Sequence, residues 1–153
     1  MAGHPHARVP RLEEAARAVD LTLVVDAKDA DGVEAIVGDL ERADALGRAI
    51  FIGGLAVLVA VRAALPEAPI VLSWPQTAPP ETDVLEQVRP RALNLPWEIV
   101  DAAAVASVGA QGHEVWTYCV DTARDARRAT ELGLVGLISN DVPATRGIVE
   151  GAA

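Results

Sequence analysis

Short apolar runs and helix-forming stretches alternate along the whole chain, and this alternation limits the possible folds more than any other feature. Six apolar runs have the length of buried strands, at 21–28, 49–52, 70–73, 92–95, 114–120 and 135–139. Stretches with helical spacing of apolar residues or helix-capping signals lie at 11–19, 33–46, 55–65, 82–88, 98–111, 121–132 and 143–150. Such alternation is typical of βαβ units around a parallel sheet.

Two architectures have a sheet of this kind, an open doubly wound sheet and a (β/α) barrel. The hydrophobic share of 51% suits strands that are apolar on both faces. A regular barrel needs eight strands and typically about 250 residues. Because the chain has 153 residues and six strand candidates, it cannot form a full regular barrel by itself.

The first apolar run, Leu-Thr-Leu-Val-Val-Asp-Ala-Lys at 21–28, becomes charged only at its end. Successive side chains of a strand point to opposite faces, so Asp26 and Lys28 share one face, whereas Val25 and Ala27 share the apolar one. Ligands of parallel α/β proteins bind at the carboxyl ends of the strands. The run therefore predicts either part of a binding site or a plain ion pair at the end of a strand.

Charge and cysteine content exclude several classes of protein. The chain carries 13 basic and 22 acidic residues, a net charge of −9, which argues against general nucleic-acid binding. The single cysteine, Cys119, excludes an intramolecular disulfide, fits the reducing cytoplasm, and is expected to be an inert buried thiol. We expect a cytoplasmic protein with no membrane span, because the first residues lack a signal-peptide core and the longest apolar run, at 50–61, is too short.

Four segments, in order along the chain, resemble the glycerophosphodiester phosphodiesterase family. They are Val-Pro-Arg-Leu-Glu-Glu at 9–14, Leu-Val-Val-Asp-Ala-Lys at 23–28, Val-Trp-Thr-Tyr-Cys at 115–119 and Gly-Leu-Val-Gly-Leu-Ile-Ser-Asn at 133–140. The resemblance implies an α/β fold, a partial TIM (β/α) barrel of the phospholipase C-like phosphodiesterase type, with about the last five strands of eight. This domain would occupy residues 9–153, after a flexible lead-in at 1–8.

The resemblance also implies an activity, the hydrolysis of glycerophosphodiesters to an alcohol and glycerol 3-phosphate with a divalent metal, Mg²⁺ or Ca²⁺. The family's two catalytic histidines and its Glu-x-Asp pair lie on strands before the matched region. His4 and His6 lack the family's sequence context, so no catalytic residue is assigned here. The chain is therefore expected to be inactive or weakly active alone.

Three residues match functional positions of the family. Asp26 matches a metal-binding glutamate but is one methylene shorter. Lys28 matches the lysine that neutralises the substrate phosphate, and Trp116 matches an aromatic residue that lines the pocket. The resemblance thus implies a metal ligand at Asp26 and substrate contacts at Lys28 and Trp116.

Several accounts of the chain remain open at this point. The small-molecule partner implied by the resemblance is a glycerophosphodiester. A missing N-terminal half or self-association would supply the strands that a barrel lacks, since an open barrel leaves unpaired strand edges. The alternative is a non-catalytic α/β binding or interaction module for an anionic ligand or a partner chain.

Overall fold

The computed structural model describes residues 8–151, which contain six strands and seven α-helices. The strands are β1 (Leu23–Asp26), β2 (Ala49–Gly53), β3 (Ile70–Ser73), β4 (Ala92–Pro96), β5 (Glu114–Tyr118) and β6 (Gly136–Ile138). The helices are α1 (Leu12–Ala18), α2 (Val33–Arg42), α3 (Leu55–Ala64), α4 (Thr82–Val88), α5 (Ala102–Ala110), α6 (Ala123–Glu131) and α7 (Val142–Glu150). Short 3₁₀ turns occupy Leu46–Arg48 and Trp97–Ile99.

All six predicted apolar runs form strands, with differences at their ends. The first strand is shorter than the predicted 21–28, because its ladder with β2 ends where Asp26 lies opposite Ile52. The predicted helix at 98–111 is divided into a 3₁₀ turn and α5. The division falls at Asp101, whose carboxylate accepts a hydrogen bond from the Ala104 amide at 2.8 Å and so begins a new helix. Of the predicted lead-in at 1–8, residues 1–7 lie outside the described residues.

The strands are all parallel and follow one another across the sheet in sequence order, β1 to β6. A doubly wound sheet reverses its strand order at a switch point, and this sheet has no reversal. Right-handed crossovers between consecutive neighbours put the helices on one face of the sheet. The sheet is therefore a curled half-barrel of a partial TIM-barrel type, and the doubly wound alternative is wrong.

The two faces of the sheet have different surroundings. The outer face, which includes Phe51, Leu72 and Leu93, packs with the helix residues Leu40 and Leu58 into the main core. The inner face carries the alternate residues of each strand, and it holds a small apolar cluster of Ile52, Val71 and Ala92 flanked by Ile50 and Trp116. The inner face is more open at its two edge strands, where Val24 and Ile138 are 48% and 37% exposed.

No helix between residues 8 and 151 combines the length and the apolar character needed to cross a membrane.

Candidate binding site at the carboxyl edge of the sheet

Asp26 and Lys28 form an ion pair at the carboxyl end of β1. The Lys28 ammonium nitrogen lies 2.6 Å from Oδ2 of Asp26, and the side chains are 80% and 53% exposed, respectively. Asp26 lies opposite Ile52 in the ladder, so its side chain belongs to the inner face, as the alternation in the sequence predicts. An ion pair this exposed contributes little to folding stability. Both groups are therefore accessible to a ligand on the inner face.

Trp116 lies on the same face in the middle of β5. Its neighbours in the ladders are Asn94 on β4 and Gly136 on β6. The indole covers Gly136 so closely that a Cβ atom there would lie 2.6 Å from Cε2 and nearer still to Cδ2. Gly136 is thus required for the position of the ring. The structure places Asp26 and Lys28 together but separates them from Trp116 by β2, β3 and β4.

Asn94 is a polar residue of the inner face that the sequence analysis did not select. It is only 4% exposed, and its ladder neighbours are Ser73 and Trp116. Neither its Oδ1 nor Nε1 of Trp116 has a hydrogen-bond partner among the described residues. The signal that could have found Asn94 is one amide side chain inside the apolar run Ala-Leu-Asn-Leu at 92–95.

Asp121 connects the loops that follow β5 and β6. Its carboxylate accepts hydrogen bonds from the Asn140 amide nitrogen at 2.6 Å, the Asn140 side-chain nitrogen at 3.0 Å and the Ser139 hydroxyl at 3.2 Å. Both hydrogen bonds from Asn140 lower the pKa of Asp121 below its ordinary value, and the bond from the side chain has the larger effect. The ionised Asp121 carboxylate therefore stabilises the folded state above its unfolded-state pKa, and this stabilisation is lost as the pH falls through the lowered pKa.

At two other residues of this edge the structure adds to the sequence prediction: it refines the prediction at Thr122 and corrects it at Cys119. The sequence offers Asp121 or Thr122 as the cap of α6, and the cap is Thr122, whose hydroxyl oxygen accepts a hydrogen bond from the Asp125 amide at 3.1 Å. Cys119 is exposed, so the prediction of a buried thiol is wrong. It follows β5 in a left-handed conformation with φ of 66°, whereas the next residue, Val120, is buried and its amide donates to the Ile138 carbonyl oxygen at 3.2 Å.

The residues present do not by themselves fit a divalent metal. Oδ2 of Asp26 is already paired with Lys28, and no group of three or more His, Cys, Asp or Glu side chains within residues 8–151 could hold a metal ion. Ca²⁺ takes about six to eight oxygen ligands, and Mg²⁺ uses one or two carboxylates together with water and phosphate oxygens. One paired carboxylate is a poor basis for either site.

Comparisons with known proteins support the fold described above. No protein-family model and no curated protein matches the sequence. A Silicibacter pomeroyi protein assigned as a glycerophosphoryl diester phosphodiesterase is similar in structure, with a TM-score of 0.80 and 20% identity over 93% of this chain and 56% of that one. A glycerophosphodiester phosphodiesterase from Parabacteroides distasonis has a TM-score of 0.75 and 14% identity over 92% of this chain and 62% of its own.

A third similar structure contains a ligand. An Oleispira antarctica phosphodiesterase in complex with the product sn-glycerol-3-phosphate has a TM-score of 0.67 and 19% identity, over 80% of this chain and 49% of that one. The chain thus spans between about half and two thirds of the length of these structures. Its fold is a partial barrel that resembles the glycerophosphodiester phosphodiesterases.

Proposed function

We propose that this chain is the phosphate-binding part of a glycerophosphodiester phosphodiesterase-like barrel and binds the glycerol 3-phosphate portion of its ligand. The observation that carries this proposal is the exposed Lys28 ammonium, held 2.6 Å from Asp26 at the carboxyl end of β1. Barrels of this type bind their ligands at that edge. The product bound in the Oleispira antarctica phosphodiesterase supports the same ligand class.

Each proposed residue has a separate task. Lys28 supplies a compact positive charge for the phosphate, and the Trp116 ring supplies an apolar surface on the inner face. Asp26 would become a ligand of Mg²⁺ or Ca²⁺ only where further oxygen ligands join it, because its own surroundings do not complete a site. We assign residues 9–153 to this partial barrel domain and propose a cytoplasmic location, which the single cysteine supports.

We propose that hydrolysis by this chain alone is absent or weak. Proton transfer in the resembling family uses two histidines, whereas residues 8–151 contain one, His113. His113 precedes β5 at the amino edge of the sheet, where its Nδ1 lies 2.8 Å from the Pro90 carbonyl oxygen. The His113 imidazole is therefore at the amino ends of the strands, whereas Lys28 is at their carboxyl ends.

The presence of one lysine in the sequence allows a direct test of phosphate binding. Reductive methylation with ¹³C-formaldehyde keeps the charge and labels only Lys28 and the N-terminal amine. Titration with sn-glycerol 3-phosphate is expected to shift the Lys28 methyl signal in NMR spectra saturably, with the N-terminal signal as the internal control. A Lys28 signal that stays in place at saturating concentrations would contradict phosphate binding.

The unmodified protein tests the proposed lack of activity. Incubation with glycerophosphocholine and Mg²⁺ or Ca²⁺ is expected to release no glycerol 3-phosphate above the uncatalysed level. Clear turnover that disappears in the Asp26→Ala variant would overturn this part of the proposal.

A second candidate, an interaction module, is favoured by the edges of the sheet. Large hydrophobic residues are exposed on or beside both edge strands, with Leu21 at 69% and Val24 at 48% near β1, and Val135 at 59% and Ile138 at 37% near β6. Unpaired parallel edges accept further strands. A two-fold axis along the barrel would pair β6 of each copy with β1 of the other in parallel, so a second copy satisfies both edges at once.

Light scattering after size exclusion tests this second candidate. Self-association is expected to give a mass near twice the 16.0 kDa of one chain. Val24→Lys is expected to restore the monomer mass, because a lysine on an edge strand discourages pairing. A wild-type protein that remains at 16.0 kDa at high concentration would contradict the candidate.

A further inference from the structure

Three arginines line one cavity at the amino ends of β3 and β4. The cavity has a volume of about 220 Å³, and Arg62, Arg89 and Arg91 line it together with one carboxylate, that of Glu67. Lys28 follows the carboxyl end of β1, so this cavity lies at the other ends of the strands. The chain as a whole has a net charge of −9, which makes the cluster a local excess of positive charge.

The Arg62 guanidinium is fixed by the main chain of two loops. Its Nε donates to the Val88 carbonyl oxygen at 2.9 Å, and its Nη2 donates to that of Arg89 at 3.1 Å. Its Nη1 donates to the carbonyl oxygens of Pro66 at 2.7 Å and Ala68 at 3.0 Å. All four acceptors are main-chain carbonyls, so the guanidinium is held in place by groups that carry no full negative charge.

Arg89 adds a second positive charge beside the first. Burial, and after it the charge of Arg89, lowers the pKa of Arg62 below its ordinary value. The Glu67 carboxylate lies 4.0 Å from Nη1 of Arg89 and is almost fully exposed, so water screens most of its effect. A bound anion would therefore stabilise this pair of cations, of which one is partly buried.

Arg89 and Arg91 keep N–H groups for a ligand. The half-exposed Arg89 side chain forms one hydrogen bond among the described residues, from Nη2 to the Pro66 carbonyl oxygen at 2.7 Å. Arg91 donates to Glu114 through Nε and Nη2, which leaves Nη1 without an acceptor within residues 8–151. The Arg91 amide also donates to the Ile70 carbonyl oxygen at 2.8 Å, which ties this residue to β3.

We propose that this cavity binds a tetrahedral oxyanion, the phosphate or sulfate group of a free ion or of an ester. Guanidinium groups form strong charge-assisted hydrogen bonds with such oxygens. Donors from three chain positions around one cavity match an anion with at least three oxygens better than a planar carboxylate, which has two. The site is separate from the one proposed at Lys28, and its role is binding, with no chemical step.

Titration of the Lys28→Ala protein isolates this cavity, because it removes the lysine proposed above to bind phosphate. The Nε–H signals of Arg62 and Arg91 in ¹⁵N NMR spectra report on it, since both groups are held in hydrogen bonds. Inorganic phosphate and sulfate are expected to shift these signals saturably, and acetate is expected to bind more weakly. Methyl phosphate distinguishes the sources, since it binds only if the cavity accepts an ester.

The Arg89→Gly variant, made in the same background, separates binding from folding. Arg89 ends α4 in a left-handed conformation with φ of 45°, which glycine adopts without strain. Because this relief offsets the lost bond to Pro66, the midpoint of thermal unfolding is expected to change little. The affinity for phosphate is expected to fall about 10-fold. Should the glycine variant not fold, Arg89→Asn replaces it, since asparagine also tolerates this conformation.

Arg124→Ala, again in the Lys28→Ala background, is the matched control. Arg124 lies on α6, its side chain is 90% exposed, and it does not line the cavity. Its loss removes the same charge, so the variant is expected to bind phosphate with unchanged affinity.

Three results would overturn the proposal. They are arginine signals that do not respond to phosphate, unchanged affinity in the Arg89 variant, and equal weakening in Arg124→Ala, which would indicate general electrostatic attraction. Failure of the function proposed at Lys28 has a different appearance. In that case the Lys28 methyl signal of the wild type stays in place while the arginine signals still respond to phosphate.

Discussion

Replacing Lys28 with alanine is expected to weaken the binding of sn-glycerol 3-phosphate at least about 10-fold, because a hydrogen bond to a charged group contributes about 1.5–3 kcal/mol. Lys28 is 80% exposed, so salt screens its charge and the lower end of this range applies at physiological ionic strength. Calorimetric titration of the two proteins at low and physiological salt measures the change. The difference in affinity between the wild type and Lys28→Ala is expected to shrink as salt is added.

Arg124→Ala is a matched control for the charge itself. Arg124 on α6 has a side chain that is 90% exposed, and its loss changes the net charge by the same amount. Its variant is expected to bind glycerol 3-phosphate as the wild type does. Equal weakening in both variants would show that general electrostatic attraction, and not a site at Lys28, accounts for the binding.

Gly53→Ala is expected to lower the free energy of unfolding by about 2–3 kcal/mol, toward the upper part of the usual range for overpacking. A Cβ atom at Gly53 would lie 2.7 Å from Cγ1 of Val57 and 2.8 Å from the carbonyl oxygen of Ala27. The second contact is with the main chain, which cannot move aside by a rotamer change. The new methyl group is expected to displace the backbone of Ala27. Because Ala27 stands between Asp26 and Lys28, this displacement is expected to weaken the binding of glycerol 3-phosphate.

Gly109→Ala provides the same chemical change in open space. Gly109 lies inside α5, and no atom lies within 4 Å of a Cβ built there. In Gly109→Ala the free energy of unfolding is expected to rise by about 0.5–1 kcal/mol, because alanine is the better helix residue. Urea unfolding of the two variants measures both values. A Gly53→Ala protein as stable as the wild type would refute the close approach of β2 to the end of β1.

The glycine pair at 53–54 shows how a sequence pattern is interpreted differently once the fold is known. From the sequence, two glycines before a helix are typical of a tight turn and, less often, of a phosphate-binding loop. In the structure, Gly53 is small because the backbone after β1 approaches it, whereas a Cβ at Gly54 would meet nothing within 4 Å. The requirement at Gly53 comes from Ala27, which is 26 positions earlier and invisible in the local pattern.

Local alternation by itself determined the strands, their faces and the Asp26–Lys28 pair. Residues two apart in a strand always share a face, so the neighbourhood of Asp26 and Lys28 followed from their spacing alone. The order and approximate positions of the helices and strands followed from periodicity, whereas several of their ends did not. These features depend on contacts between residues close in the chain, which is why they are predictable from it.

The tertiary structure alone decided which strands lie side by side and in which register. The order β1 to β6 made the sheet a half-barrel, and the register set Asn94 beside Trp116 and Trp116 beside Gly136. Asp121 likewise finds its partners at Ser139 and Asn140. Each of these contacts joins residues about twenty positions apart. They depend on how separate strands pack, because the local pattern gives each strand a face but no neighbour.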